Sequence, residues 1–468
     1  MKPEHAWRPE RLAAQTLLFA ILAAGTAAVV TAESPSASSP AVSPTFNLTL
    51  EEAVERALAA DERLEAAVLE SRRAEAAYRS ARNERLPALL VTAGYDRIRE
   101  IDPPTLDLPP ELGGEVRFGD SITDRVYLQA NLRQELFSGY RRSAQIDATE
   151  HRFQASLYHR EFVASQVEMA AVELYLNAVR AAERVHVAER ALERASRVRE
   201  EVEHLLGEGL VTANDLLRAR MAEAQTDASL ARMGNGRERA LLRLKRGLGI
   251  DPETVVELDH ASGGQQDAPP GSGEVEREIL RAETDRPDLR AIEEEVLAAG
   301  RSVRRAEAGL YPTANLVAGL RVARPSPVVF PQVAEFDHTW SVGFELTYNV
   351  GGLPLVRSRL EEARLLEEAL RVERIRRAED VALHVRSAAL DIADAAEQRV
   401  AADLFVEQAE ENLRTLEAMH AEGLIRFSEV IEAQELLEQA EMNRLEATID
   451  RALAEARYRF VAGRSALP

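Results

Sequence analysis

Glu429 and Glu432 follow shortly after a Gly-Leu pair at 423–424 and lie just inside a helical periodicity. That spacing sets both carboxylates on one helix face. There they attract cations, repel each other, or simply solvate a first helical turn. Spacing alone favours the last of these. No other reactive residue type forms a better pattern. The nine histidines are scattered, and His151, His159, His186, His204, His384 and His420 fall in helical tracts with no HExxH spacing. There is no P-loop and no GxSxG, and the glycine clusters lie in a linker or at helix turns. The absence of cysteine excludes disulfides, thiolate metal sites, a cysteine nucleophile and lipid attachment at a cysteine. No catalytic, cofactor or metal site is therefore expected, nor an enzyme.

The 468 residues carry 58 basic and 79 acidic side chains, a formal charge of −21 with no basic cluster, which argues against nucleic acid as a partner. Lys2, Arg8 and Arg11 precede an apolar run over residues 17–30, and Val30-Thr31-Ala32 offers small residues for cleavage. A signal peptide over 1–32 and an exported chain are expected. Residues 33–47, rich in Ser and Pro, are expected to be a flexible mature N-terminus.

The elements come in two copies. Leu64, Pro87 and Gly94 match Leu289, Pro312 and Gly319 at one constant offset. In each copy an alanine-rich helical run reaches a proline, Pro87 or Pro312, and becomes an alternating run, so helix hands over to strand. Thr49 is the expected cap of the first helix, which runs to about Arg85. The second copy's helix spans roughly Val275 to Leu310. Leu89, Val91, Ala93 and Tyr95 share one face of the first strand; Val126, Leu128, Ala130 and Leu132 share one face of the next. In the second copy Ala314, Leu316, Ala318 and Leu320, then Trp340, Val342, Phe344, Leu346 and Tyr348, do the same. Gly139 and Gly351 mark the exits into long helical arms, striped by Val163, Val167, Ala170, Leu174 and Ala178 and by Val381, Val385, Ala388, Ile392 and Ala395. The arms break near Gly209 and Gly423. The expected division is a first repeat over 48–250, a linker over 251–273, a second repeat over 274–463 and a tail over 464–468.

Strands near ten residues long, apolar on one face and polar on the other, suit an outer membrane, with lipid outside and water inside. Open sheet edges are not tolerated in lipid, and the smallest closed membrane barrels need about eight strands. Four strands per chain cannot close one, so a homo-oligomer is required. The strand count alone permits either a dimer or a trimer.

With Leu48-Thr49-Leu50-Glu51-Glu52-Ala53, the doubled helix–Pro–strand unit, Leu136-Phe137-Ser138-Gly139 and two Gly-Leu tips, the chain resembles the TolC-type outer-membrane efflux proteins of Gram-negative bacteria over essentially all of its mature length. The resemblance implies a mostly α protein with a membrane β-barrel portion. It has two tandem repeats of helix–strand–strand–long helical hairpin, and three protomers share a twelve-stranded barrel and a periplasmic α-helical tunnel. It implies a place in the cell outer membrane, reaching into the periplasm, as exit duct of a tripartite pump for small toxic compounds or ions. The partners would be a periplasmic adaptor and an inner-membrane pump; type I protein secretion is the alternative. Gly209-Leu210 and Gly423-Leu424 take the adaptor-contact positions. Glu429 and Glu432 match the acidic entrance ring, and Asp215 matches the acidic residue that latches the first tip. The basic partner expected two residues after the second tip glycine is replaced by Ile425, with Arg426 next. Without cysteine there is no lipid tether, and the barrel itself must hold the protein. A rival from another class, a periplasmic coiled-coil adaptor or scaffold, would share the hairpins but lack the doubled strands.

Overall fold

The computed structural model describes residues 46–102, 104–109, 111, 114–117, 121–259, 268–330, 332–422 and 424–467. The expected signal peptide, residues 33–45 of the expected flexible N-terminus, part of the linker and Gly423 lie outside them.

The first repeat opens with β1 (Phe46–Leu48), α1 (Leu50–Ala60) and α2 (Glu62–Asn83). Thr49 caps α1 in a reciprocal capping box with Glu52. The single helix expected as far as Arg85 is broken at Asp61, whose extended backbone ends α1 while its carboxylate accepts from the Arg63 N–H at the start of α2. A good N-cap inside a helical pattern stops one helix and starts the next. In the second repeat α5 (Ser272–Asp285) and α6 (Pro287–Glu307) replace the one helix expected over 275–310, because Pro287 cannot donate to the preceding turn.

Past Pro87 comes β2 (Ala88–Arg97), then a small hairpin of β3 (Thr105–Asp107) and β4 (Glu115–Arg117), then β5 (Asp124–Phe137). The second repeat supplies β7 (Thr313–Arg324), past Pro312, and β8 (Asp337–Thr347). The order β2-β5-β7-β8 is antiparallel throughout. One face carries the rows Leu89-Leu132-Ala318-Val342 and Val91-Ala130-Leu320-Trp340. The other carries Thr92-Gln129-Arg321-Thr339, and there Arg133 reaches Glu345 at 2.7 Å and Arg321 lies 5.2 Å above the Tyr127 ring. Gly94 is required under Tyr127, since a Cβ would meet its ring at 2.5 Å. Trp340 and Phe344 are 73% and 81% exposed. Among the described residues β2 and β8 each have one unpaired edge.

Gly139 and Tyr140, both with positive φ, turn the chain out of β5 into α3 (Arg141–Gly207), which returns as α4 (Ala213–Gly247). Gly351 lies in the 3₁₀ turn Val350–Gly352 ahead of α7 (Leu353–Ala421), which returns as α8 (Phe427–Val461). At ~1.5 Å per residue α3 and α7 are each about 100 Å long. The α7–α8 seam is narrow and alanine-rich, with Val406, Ala409 and Leu413 against Val430, Ala433, Leu437 and Ala440. All five residues of the expected α7 stripe are buried. On α3 only Val167 and Ala178 of the expected stripe are buried, while Val163, Ala170 and Leu174 are half-buried, because a belt on one side of the helix shifts the buried surface towards Val172, Tyr175 and Val179. Leu48, Ala53, Val54 and Ala57 pack there on Val172, Tyr175 and Val179.

That belt includes a long-range pairing. β1 runs parallel to β6 (Val256–Leu258), so Phe46 and Asn47 are strand residues, and the stretch expected as linker contains an ordered strand. The buried Tyr175 hydroxyl donates to the carbonyls of Leu48 (3.1 Å) and Asp259 (2.7 Å), fastening both strand ends to α3. Burial is the main reason its pKa is pushed up to about 12, with Asp259 adding to it.

Candidate functional site

The two hairpin ends lie together, far along the arms from the sheet. Each ends its long helix in the same way. At the first, the Leu210 N–H donates to the Leu205 carbonyl at 3.0 Å over Gly209, whose φ is +80°. At the second, the Leu424 N–H donates to the Met419 carbonyl at 3.0 Å. A left-handed glycine closing this six-residue ring is why a Gly-Leu pair terminates the first arm. Leu210 and Leu424 are both exposed. Gly423 lies outside the described residues.

Beyond the tips the copies diverge. Thr212 caps α4: its N–H and hydroxyl donate to Asp215 Oδ2 at 2.9 and 2.6 Å, and the Asp215 N–H returns a bond to Thr212 Oγ1 at 3.3 Å. These bonds hold the Asp215 carboxyl below its usual range, with lesser help from the charges of Arg218 and His420. Asp215 is thus bonded within its own helix start, and among the described residues it makes no ion pair with Arg426. At α8 the cap position is held by Arg426, which makes no side-chain cap bond.

Glu429 and Glu432 lie in the first turns of α8, exposed, opposite the buried row Phe427, Val430 and Ala433. They make no ion pair among the described residues, so their charge is offered to whatever lies in front of that face. The residue that joins the hairpins is one that motif spacing missed. Phe427 leaves the second hairpin and is buried among Val202, Leu216 and Ala219 of the first, at 5% exposure. The His420 ring lies 5.4 Å from it. The signal was present in the repeat itself: where the second copy has Phe427, three residues after Leu424, the first has Ala213 three after Leu210.

Above this contact, ion pairs tie α3 to α8: Arg194–Glu441 at 2.9 Å, Arg180–Asp450 at 2.6 Å and Arg457–Glu173 at 2.9 Å. Among the described residues no group of three or more His, Asp or Glu is placed to hold a metal ion, and no helix is long and apolar enough to cross a membrane.

A four-stranded sheet with an apolar face and two open edges, continued by paired helical arms of about 100 Å, is one segment of the wall of a membrane-spanning duct. The family model described as outer membrane efflux protein matches residues 53–250 and 279–464. The chain belongs to the outer membrane efflux protein family, and its two matched segments are its two structural repeats. Among solved structures it is similar to the outer-membrane channel OprN, with 23% identity over 90% of this chain and 91% of that one, TM-score 0.74. It is similar to CusC, with 18% identity, 90% and 94% coverage and TM-score 0.76. The Campylobacter jejuni CmeC outer membrane channel gives 17%, 90% and 87%, and 0.73. No curated protein sequence matches it. It is an outer-membrane efflux duct component.

Proposed function

We propose that three copies of this chain close one twelve-stranded barrel in the outer membrane of a Gram-negative cell. Their arms then form a single tunnel that receives small toxic compounds or ions from an inner-membrane pump through a periplasmic adaptor. The observation that carries the reading is the sheet itself. Its apolar rows end in unpaired β2 and β8 edges, which lipid does not tolerate, so further copies must pair with them. With no cysteine for a lipid anchor, the barrel is what holds the protein in place. The tips at Gly209-Leu210 and Gly423-Leu424 serve the adaptor. Glu429 and Glu432 of three copies line the entrance, where mutual repulsion opposes closure and draws cations. Asp215 stiffens the first tip through its capping box rather than by pairing with a basic residue of the second. Catalysis forms no part of this role.

The reading is tested by fractionation of cells expressing the full chain. Retention in the outer membrane after a salt wash is expected. Release into the periplasmic fraction would move the protein to the adaptor or scaffold class.

A further inference from the structure

On a chain of net charge −21, one cavity is lined by arginines alone among its charged residues. Between α3 and α4, Arg180, Arg184, Arg239 and Arg243 line a single cavity of about 380 Å³ that has no acidic residue in its lining. Two of these guanidiniums are partly neutralised by α8: Arg180 by Glu446 (3.2 Å) and Asp450 (2.6 Å), Arg184 by the same Glu446 through its Nε at 2.6 Å. Arg239 and Arg243 make no ion pair among the described residues, so four cations face two carboxylates.

Two further features mark the spot as built to receive something. The Nε–H of Arg180 is fully shielded and has no hydrogen-bond acceptor, although only 17% of that side chain is exposed. A buried donor left unpaired is costly and calls for an acceptor. The cavity wall also contains Gly236, in the helical run Met233-Gly234-Asn235-Gly236. Glycine inside a helix is destabilising relative to alanine. A Cβ at Gly236 would meet nothing within 4 Å, so close packing does not require the glycine. What it supplies is room.

The site also has a side. Tyr175 points into the belt of α1, β1 and β6. At 3.6 residues per turn, Arg180 and Arg184 lie about 140° and about 180° around α3 from it. The belt has no room inside a tunnel that must pass cargo, so the opposite face is the inner one. This placement rests on the duct reading; the binding itself does not.

We propose that the Arg180–Arg184–Arg239–Arg243 cavity binds a small dianion of the phosphate or dicarboxylate class on the inner wall of the duct, partway along the tunnel. Guanidiniums suit both groups because their planar donors match paired oxygens. The consequence is a duct whose entrance favours cations but whose middle holds anionic solutes.

The test is calorimetric titration of the detergent-extracted full chain with inorganic phosphate and, separately, with succinate at low salt. The variants are Arg239→Gln/Arg243→Gln, which breaks no ion pair, and Gly236→Leu, which fills the space while raising helix propensity. Saturable binding of either probe is expected. It should weaken on the order of tenfold or more in the double variant and vanish in Gly236→Leu, with helicity and oligomer mass unchanged. Whichever probe binds more tightly identifies the source chemistry. No saturable binding of either probe, or equal binding in all three proteins, would overturn the site. In planar bilayers phosphate should partly block current through the wild type and not through Arg239→Gln/Arg243→Gln. Binding without that block would overturn the inner-wall placement, whereas loss of channel activity altogether would overturn the duct reading and leave the titration standing.

Discussion

Replacing Phe427 with Ala should detach the second hairpin end from the first. The ring is almost fully buried, packed on Val202, Leu216 and Ala219 of the first hairpin. Deleting a buried Phe typically costs about 3–5 kcal/mol. A cavity of about 440 Å³ already borders the ring, so partial relaxation is easy and the lower end, about 3 kcal/mol, applies. Because α8 has no side-chain cap at Arg426, little else opposes local release. Three kilocalories is on the order of a hundredfold in the population of the detached end. The α7–α8 seam and the belt do not include Phe427 and should keep the fold intact. Hydrogen exchange at the α8 start should accelerate by a comparable factor, and single-channel openings should become longer or larger. Phe427→Leu should restore most of the protection. Unchanged exchange and conductance in Phe427→Ala would refute the view that this ring joins the hairpins.

Glu429→Gln with Glu432→Gln should lower cation selectivity in planar bilayers without altering melting, since neither side chain pairs with another; unaltered selectivity would remove both from the entrance. Tyr175→Phe should lower stability by about 1–2 kcal/mol, read from denaturant midpoints, because the Asp259 carbonyl loses the hydroxyl and the Leu48 carbonyl keeps only the Asp259 N–H. The Tyr175 pKa is raised from 10.0 to about 12, so its stabilising contribution is whole below pH 10.0 and fades as pH climbs towards about 12. The variant should show no such alkaline loss. Phe344→Arg, on the apolar face of β8, should cost about 2–4 kcal/mol at mid-membrane depth and deplete the protein from the outer membrane. Normal insertion would argue that this face does not meet lipid.

Much of this architecture was legible because repetition and periodicity report it directly. The proline at the end of each helical run, the period of two in Trp340–Tyr348 and the buried stripe from Val381 to Ala395 all reflect local rules read along the chain. The cap at Thr49 was legible for the same reason, although its reciprocal bond with Glu52 was not. What escaped was set by contacts distant in sequence. β1 and β6 are three residues each and too short for a period, and they are defined only by pairing with each other. The breaks at Asp61 and Pro287 were overlooked because apolar periodicity continues through them. At the candidate site, the helix break at Gly209 and the positions of Glu429 and Glu432 in the first turns of a helix were legible from periodicity, whereas the roles given to them came from the family resemblance. The reciprocal capping box that Asp215 forms with Thr212 was not read from the sequence, where it was paired only with a basic residue expected at the second tip. Phe427 and the arginine cavity needed the packing of α3 against α4 and α8, which no single helix encodes.

The central claim is that open sheet edges are closed by further copies of the same chain. Mass measurement of the detergent-extracted protein, by light scattering corrected for bound detergent, addresses it directly. A stable trimer of the 51.7 kDa chain, allowing for signal removal, is predicted. A soluble monomer would contradict the shared barrel and, with it, the duct.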